Sequence, residues 1–291
     1  MVRLNKSTLK WFLFIFFLVS NNSSSMYICT CADDAFFPRL LNFIGSVHKT
    51  NFDEIEQIAI FNLGFKQEQI EELERIEKVC VYEIEMVHPD LLKHFVVTSK
   101  GKRVRGWYAW KPVAIKQALD MFPYILYSDA GSIIMGSLSK LFKHIKQKGY
   151  FFVDCECTIH HMAPRHVVET FSLDSSDRKH IWHSLGMAGG FMGLSRAMYD
   201  DFVLPMYNLA YDIRHFVDDG TTPDKHFGSG RHDQVLFGIH ARLLGLEINR
   251  KSGHLYLDGK RQRFSYGSVV KFWATSRRWK QMRRYIRYKT T

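Results

Sequence analysis

The chain has 291 residues, 46% of them apolar and 14% aromatic, which is material for a sizeable core and excludes wholesale disorder. Its formal charge of +11 is unevenly spread: eleven of the 40 Lys and Arg lie from Lys260 onward, where there is no Asp or Glu, so the body holds 29 basic against 29 acidic residues. A neutral body excludes a nucleic-acid-binding domain of the uniformly basic kind.

Taken in order, Arg3, Lys6 and Lys10 precede nine unbroken apolar residues, 11–19, and small polar residues follow at 20–25. A basic stretch before a short apolar core is the layout of a secretory signal. A membrane-spanning helix needs about 20 apolar residues. Residues 1–25 are therefore expected to form a signal peptide, with a short type II signal anchor as the alternative. Either one directs the rest to the lumen of the secretory pathway, in the ER or Golgi.

Residues 27–31 read as a first strand, and Ala32, Asp33 and Asp34 turn out of it. A helix follows with Pro38 in its first turn and Leu40, Leu41, Ile44 and Val47 on one face. Residues 58–61 read as a second strand, 67–76 as an amphipathic helix and 79–84 as a third strand. This alternation predicts βαβ units and a largely parallel sheet. Next, Pro112 suits the first turn of a helix whose apolar face is Val113, Ala114, Ile115, Ala118, Leu119 and Phe122. Pro123 stops that helix, and 124–127 reads as a buried strand. Asp129 then stands at the carboxyl end of the strand, with Gly131 two residues on. Ligands of open α/β sheets sit outside such strand ends, and a carboxylate there suits a divalent cation bridged to phosphate.

In the second half, 151–154 reads as a further buried strand. Glu156, His160, His161 and His166 follow it as either a metal cluster or a loop lining a cleft. Residues 186–193 are glycine-rich without the spacing of a dinucleotide-binding loop, and would admit a close backbone approach to a ligand. Residues 195–211 are helical by pattern, with Pro205 at a kink or break, and 218–230 form a polar loop with the composition of a lid. Asp233 opens a strongly periodic helix, where its charge favours the helix N-terminus. Residues 247–249 read as a last strand. The tail from 260 interleaves aromatics with arginines, as an acidic membrane surface, an acidic glycan or nucleic acid would require; a solvated C-terminal helix is the bland alternative. The five cysteines include two C-x-C pairs, Cys29/Cys31 and Cys155/Cys157, and no C-x-x-C. That spacing argues against a zinc ribbon and leaves disulfides or buried free thiols open.

Trp110-Lys111-Pro112 with its helix, and Tyr127-Ser128-Asp129-Ala130-Gly131, resemble GT-A glycosyltransferases, enzymes of the nucleotide-diphospho-sugar transferase superfamily. The chain departs from that pattern where Gly131 replaces the second acidic residue of an Asp-x-Asp pair. The resemblance implies an α/β fold: a single Rossmann-type GT-A domain over 26–259, with a mostly parallel central sheet and helices on both faces, and a basic aromatic tail over 260–291. It implies a donor site at Thr30, Ala32, Asp33, Arg105, Lys111 and Asp129, and an acceptor side at Gly189, Gly190 and Phe191. Asp233 would be the catalytic base. Mn²⁺ or Mg²⁺ would sit on Asp129 and on His254, which matches a late histidine of glycogenin-like members. The expected activity is a metal-assisted, hexosyltransferase-type transfer from a nucleotide sugar, a UDP-sugar in the first instance, to a glycan or glycoprotein. Nucleic acid is not the expected partner. A non-catalytic sugar- or nucleotide-binding protein on the same fold is the alternative.

Overall fold

The computed structural model describes residues 25–97, 102–221, 232–250, 254–258, 260–263, 265–271 and 279–290. Residues 1–24 of the expected signal segment and most of the lid-like loop lie outside these residues. Among the described residues no helix is long and apolar enough to cross a membrane.

Six strands form the central sheet: β1 (Met26–Ala32), β2 (Ile55–Asn62), β3 (Val79–Glu83), β4 (Tyr124–Ser128), β5 (Tyr150–Phe151) and β6 (Phe191–Ser195). Their order is β3-β2-β1-β4-β6-β5. The four strands from β3 to β4 are parallel, and β6 runs against both β4 and β5. Five of the six strands therefore share one direction, giving the mostly parallel sheet expected.

Five described helices have eight or more residues: α1 (Phe37–Asn51), α2 (Gln67–Glu74), α3 (Trp110–Met121), α4 (Ser139–Lys148) and α5 (His232–Leu243). Alternation along the strands divides the core in two. Cys29, Cys31, Phe61, Ile125 and Tyr127 pack with Val113, Ile115 and Leu119 of α3. On the other face Ile28, Ile58, Ile60 and Leu126 pack with Leu40, Ile44 and Val47 of α1. Each large side chain so buried stabilises the fold by about 1.5–3 kcal/mol. Both helix ends obey their prolines, since Pro38 lies in the first turn of α1 and Phe122, before Pro123, leaves the helix in extended conformation.

The chain steps outward from β1 to β3, then returns to place β4 on the other side of β1. The strand order thus reverses between β1 and β4, which makes their carboxyl ends a switch point. Ala32-Asp33 and Ser128-Asp129 end there.

Three expected elements differ. Residues 247–249 form no strand; Asn249 makes only an isolated parallel bridge to Val153. The strand expected over 151–154 divides into β5 and a separate ribbon, Asp154–Thr158 paired antiparallel with Leu185–Met187. The helical stretch expected over 195–211 is a 3₁₀ turn (Arg196–Met198), a π turn (Tyr199–Val203) and a short helix (Leu204–Leu209). Pro205 starts that last helix rather than kinking a longer one.

The basic segment also joins the body. Val270–Lys271 pairs antiparallel with Ile133–Ile134, and the 3₁₀ helix Trp279–Tyr285 packs on α1. Beyond it, the Lys289 N–H donates to the Arg75 carbonyl at 2.8 Å, and the Arg287 N–H donates to His48 Nδ1 at 3.1 Å.

Candidate functional site

Three chain segments deliver charge to the switch point. Lys111 lies in the first turn of α3, Asp129 follows β4, and Asp233 is the second residue of α5. The Lys111 side chain is only 5% exposed, and its Nζ lies 2.8 Å from Asp233 Oδ2 and 3.3 Å from Asp129 Oδ1. The third donor position is filled by the Gly189 carbonyl at 3.0 Å. A buried ammonium needs such saturation, because each unpaired donor would cost its desolvation.

Asp129 is held from two further sides. Its N–H donates to the Gly190 carbonyl at 2.9 Å, and the Tyr127 hydroxyl donates to its Oδ1, also at 2.9 Å. Burial, reinforced by the neighbouring Asp129 charge, pushes the Tyr127 phenol well up, so it remains a donor. Tyr127 opens the Tyr127–Gly131 stretch that carries the resemblance, but nothing in the sequence gave its hydroxyl a role.

The electrostatics follow from burial. Desolvation pushes the Asp233 carboxyl up to about 6 against the opposing pull of Lys111, and the Asp129 charge adds to the rise. Desolvation also favours neutral Lys111, but the charges of Asp129 and Asp233 outweigh it and raise its pKa. Lys111 is thus an ammonium at neutral pH, set between two carboxylates. The sequence reading made Lys111 a partner of the donor diphosphate; its burial makes it first the centre of this trio.

Beside the trio, Asp33 ends β1. Its Oδ1 accepts the Phe36 N–H at 3.1 Å and caps a short 3₁₀ turn. Its Oδ2 accepts from Arg105 Nε at 3.2 Å and lies 3.1 Å from the same guanidinium's NH2. Arg105 also donates to the Leu92 carbonyl at 2.9 Å. Thr30 and Ala32 are buried in β1, on the face that carries Ile28; Thr30 is 0% exposed and its Oγ1 has no hydrogen-bond partner. Gly189 and Gly190 turn into β6 with their carbonyls committed to Lys111 and Asp129, and a Cβ added to Gly189 would lie 2.9 Å from Asp233 Oδ2. The Phe191 ring is wholly buried.

Among the described residues no three His, Cys, Asp or Glu side chains converge on a metal position. His166 pairs with Asp219 at 3.1 Å, and His160 lies against Trp182 and His183. His254 begins the strand His254–Leu257, and its side chain lies outside the described part. Asp129 still fits a cation. Its side chain is 31% exposed, Oδ1 is the oxygen that Lys111 and Tyr127 engage, and two carboxylates face a single ammonium. Mg²⁺ is commonly bound through one or two carboxylates plus substrate phosphates and water.

No protein-family model matches the chain, and no curated protein matches its sequence. Solved structures do match. Core-mannan synthase A (CmsA/Ktr4) from Aspergillus fumigatus, in its Mn/GDP form, is 11% identical with a TM-score of 0.55, over 79% of this chain and 73% of that one. The mannosyltransferase Ktr4p from S. cerevisiae in complex with GDP is 8% identical with a TM-score of 0.47, over 80% of this chain and 70% of that one. An LgtC structure is 12% identical with a TM-score of 0.43, and the chain spans 65% of its length. At such identity the likeness to the A. fumigatus protein defines a fold and nothing finer. The chain has the fold of the GT-A glycosyltransferases, as its Trp110–Gly131 stretch implied.

Proposed function

We propose that the chain is a glycosyltransferase of the secretory-pathway lumen that moves a sugar from a nucleotide-diphosphate donor, a UDP-sugar in the first instance, to a hydroxyl of a glycan or glycoprotein. The observation that carries this reading is the Lys111–Asp129–Asp233 trio at the switch point of a GT-A fold, with Lys111 and Asp233 buried and Asp129 partly exposed. In it, Asp233 takes the proton of the acceptor hydroxyl. A carboxyl whose pKa lies near 6 is close to the working pH, the condition for efficient general-base catalysis. Lys111 orients that carboxylate, and Tyr127 orients Asp129 by its hydrogen bond. Asp129 is the residue that would hold a divalent cation, with His254 as its second candidate ligand, and the charge so supplied stabilises the departing diphosphate. Arg105 is suited to the donor's phosphates because its planar fork matches their geometry. Asp33 lies at the same strand end, with Thr30 and Ala32 buried behind it, and Gly189 and Gly190 border the acceptor side, with the Phe191 ring buried beneath them. The basic tail is a candidate contact for an acidic membrane surface.

Gly131 in place of a second carboxylate favours one other reading, a sugar- or nucleotide-binding protein without turnover. Binding is therefore measured first, by thermal shift over a panel of nucleotide sugars with Mn²⁺, with Mg²⁺ and with EDTA. One donor should raise the melting temperature in the presence of metal, and Asp129→Ala should weaken its binding about tenfold or more. If no donor shifts the transition under any condition, both readings fail.

A further inference from the structure

The backbone beside the trio adopts left-handed conformations at two places that touch each other. Gly106, Trp107 and Tyr108 have φ of 51°, 51° and 65° just before α3, and His232 has φ of 44° at the start of α5. Such backbone is uncommon for a residue with a Cβ and persists only where the surroundings over-determine it.

The surroundings here are specific. The Trp107 ring, 7% exposed, stacks on Phe95 at 5.4 Å and meets the His232 imidazole at 5.5 Å. The Tyr108 ring meets the same imidazole at 5.2 Å and lies 5.8 Å from Lys111 Nζ. His232 Nδ1 is 2.8 Å from the carbonyl oxygen of buried Phe216, so Nδ1 carries the proton and donates it. Trp107 and Tyr108 run directly into α3, which bears Lys111, and His232 directly precedes Asp233. The ring contact therefore joins the first turns of two helices far apart in sequence, at the point where their charged side chains must meet at 2.8 Å.

We propose that His232 is a positioning residue, whose ring, gripped by Trp107 and Tyr108 and anchored on Phe216, sets the start of α5 against the start of α3 and so holds Asp233 on Lys111. The inference takes the Asp233–Lys111 pair as the reactive centre of the transferase proposed above. A misplacement of about 1 Å at such a centre can cost two orders of magnitude in rate, which is a reason for the fold to tolerate local strain here.

The test has two arms on the full chain. The first is a double-mutant cycle in urea with His232→Ala and Lys111→Met. If His232 holds the pair together, the fall in unfolding midpoint caused by Lys111→Met should shrink by half or more in the His232→Ala background. Additive losses would show an ordinary packing role and overturn the inference. The second arm compares donor hydrolysis with donor binding. His232→Ala should lower kcat about tenfold or more while Kd for the donor stays within about threefold, and an unchanged kcat would overturn the inference. If no donor is hydrolysed by the unsubstituted chain, the transferase reading fails while the unfolding cycle still decides the clamp. Should His232→Ala not fold, His232→Asn replaces it, since Asn accepts left-handed backbone and lacks the ring.

Discussion

Asp233 answers to two opposed forces, and its pH dependence separates them. Its carboxyl moves from 3.8 when unfolded to about 6 when folded, because burial outweighs the pull of Lys111. Between those values the folded Asp233 holds more of a proton than the unfolded one, so its contribution to stability falls as pH rises from 4 to 6. The fall amounts to about 3 kcal/mol at 1.36 kcal/mol per pK unit. Asp233→Asn should remove this dependence, so the variant's stability relative to the natural chain should rise with pH; urea unfolding at pH 4, 5, 6 and 7 measures it. A constant difference across that range would contradict the account. At this scale the carboxylates were legible in the sequence, since one ends a strand and the other opens a helix. Their meeting on Lys111 was not legible, because residues 111, 129 and 233 converge only through the strand order. Tyr127 was equally hidden, since its hydroxyl matters only once Asp129 is known to sit above it.

At the scale of elements, the bend between Arg105 and α3 carries the most constraint. Gly106 combines φ of 51° with a close approach, because a Cβ there would lie 1.8 Å from the Leu91 carbonyl oxygen. Gly106→Ala should therefore cost about 3 kcal/mol in urea unfolding, from backbone strain together with steric overlap. A cost under about 1 kcal/mol would mean that the bend relaxes freely. Pro112 and Pro123 announced α3, but nothing announced the bend, which leaves no periodic trace. Local propensity misled at 195–211, where apolar spacing predicts a helix kinked or broken at Pro205. There the Arg196 guanidinium donates to the Leu119 and Asp120 carbonyls at the end of α3, and the chain winds as three short turns instead. Residues 247–249 misled differently: an apolar residue between two polar ones suits a strand, yet only Asn249 makes a β-bridge, to Val153.

For the whole molecule, alternating strand and helix patterns made the parallel half of the sheet readable, and the likeness to a known GT-A structure agrees with it. What charge arithmetic could not reveal is how the basic segment beyond Lys260 docks. Its apolar members, Val270 and Met282, are buried in the body, while Arg283 pairs with Glu72 at 2.6 Å. Gly45 of α1 receives this segment, since a Cβ there would stand 2.0 Å from the Met282 carbonyl oxygen. Gly45→Ala should lower stability by about 1–3 kcal/mol and speed proteolytic cleavage after Lys280. Unchanged cleavage would mean that the docking is not needed to protect the segment. Catalysis of sugar transfer by the trio at the switch point is tested by hydrolysis of a bound nucleotide sugar by the natural chain and by Asp233→Asn. The natural chain should hydrolyse one donor slowly, and the variant should show a kcat at least about 100-fold lower with donor binding within about threefold. Equal rates in the two proteins would contradict it.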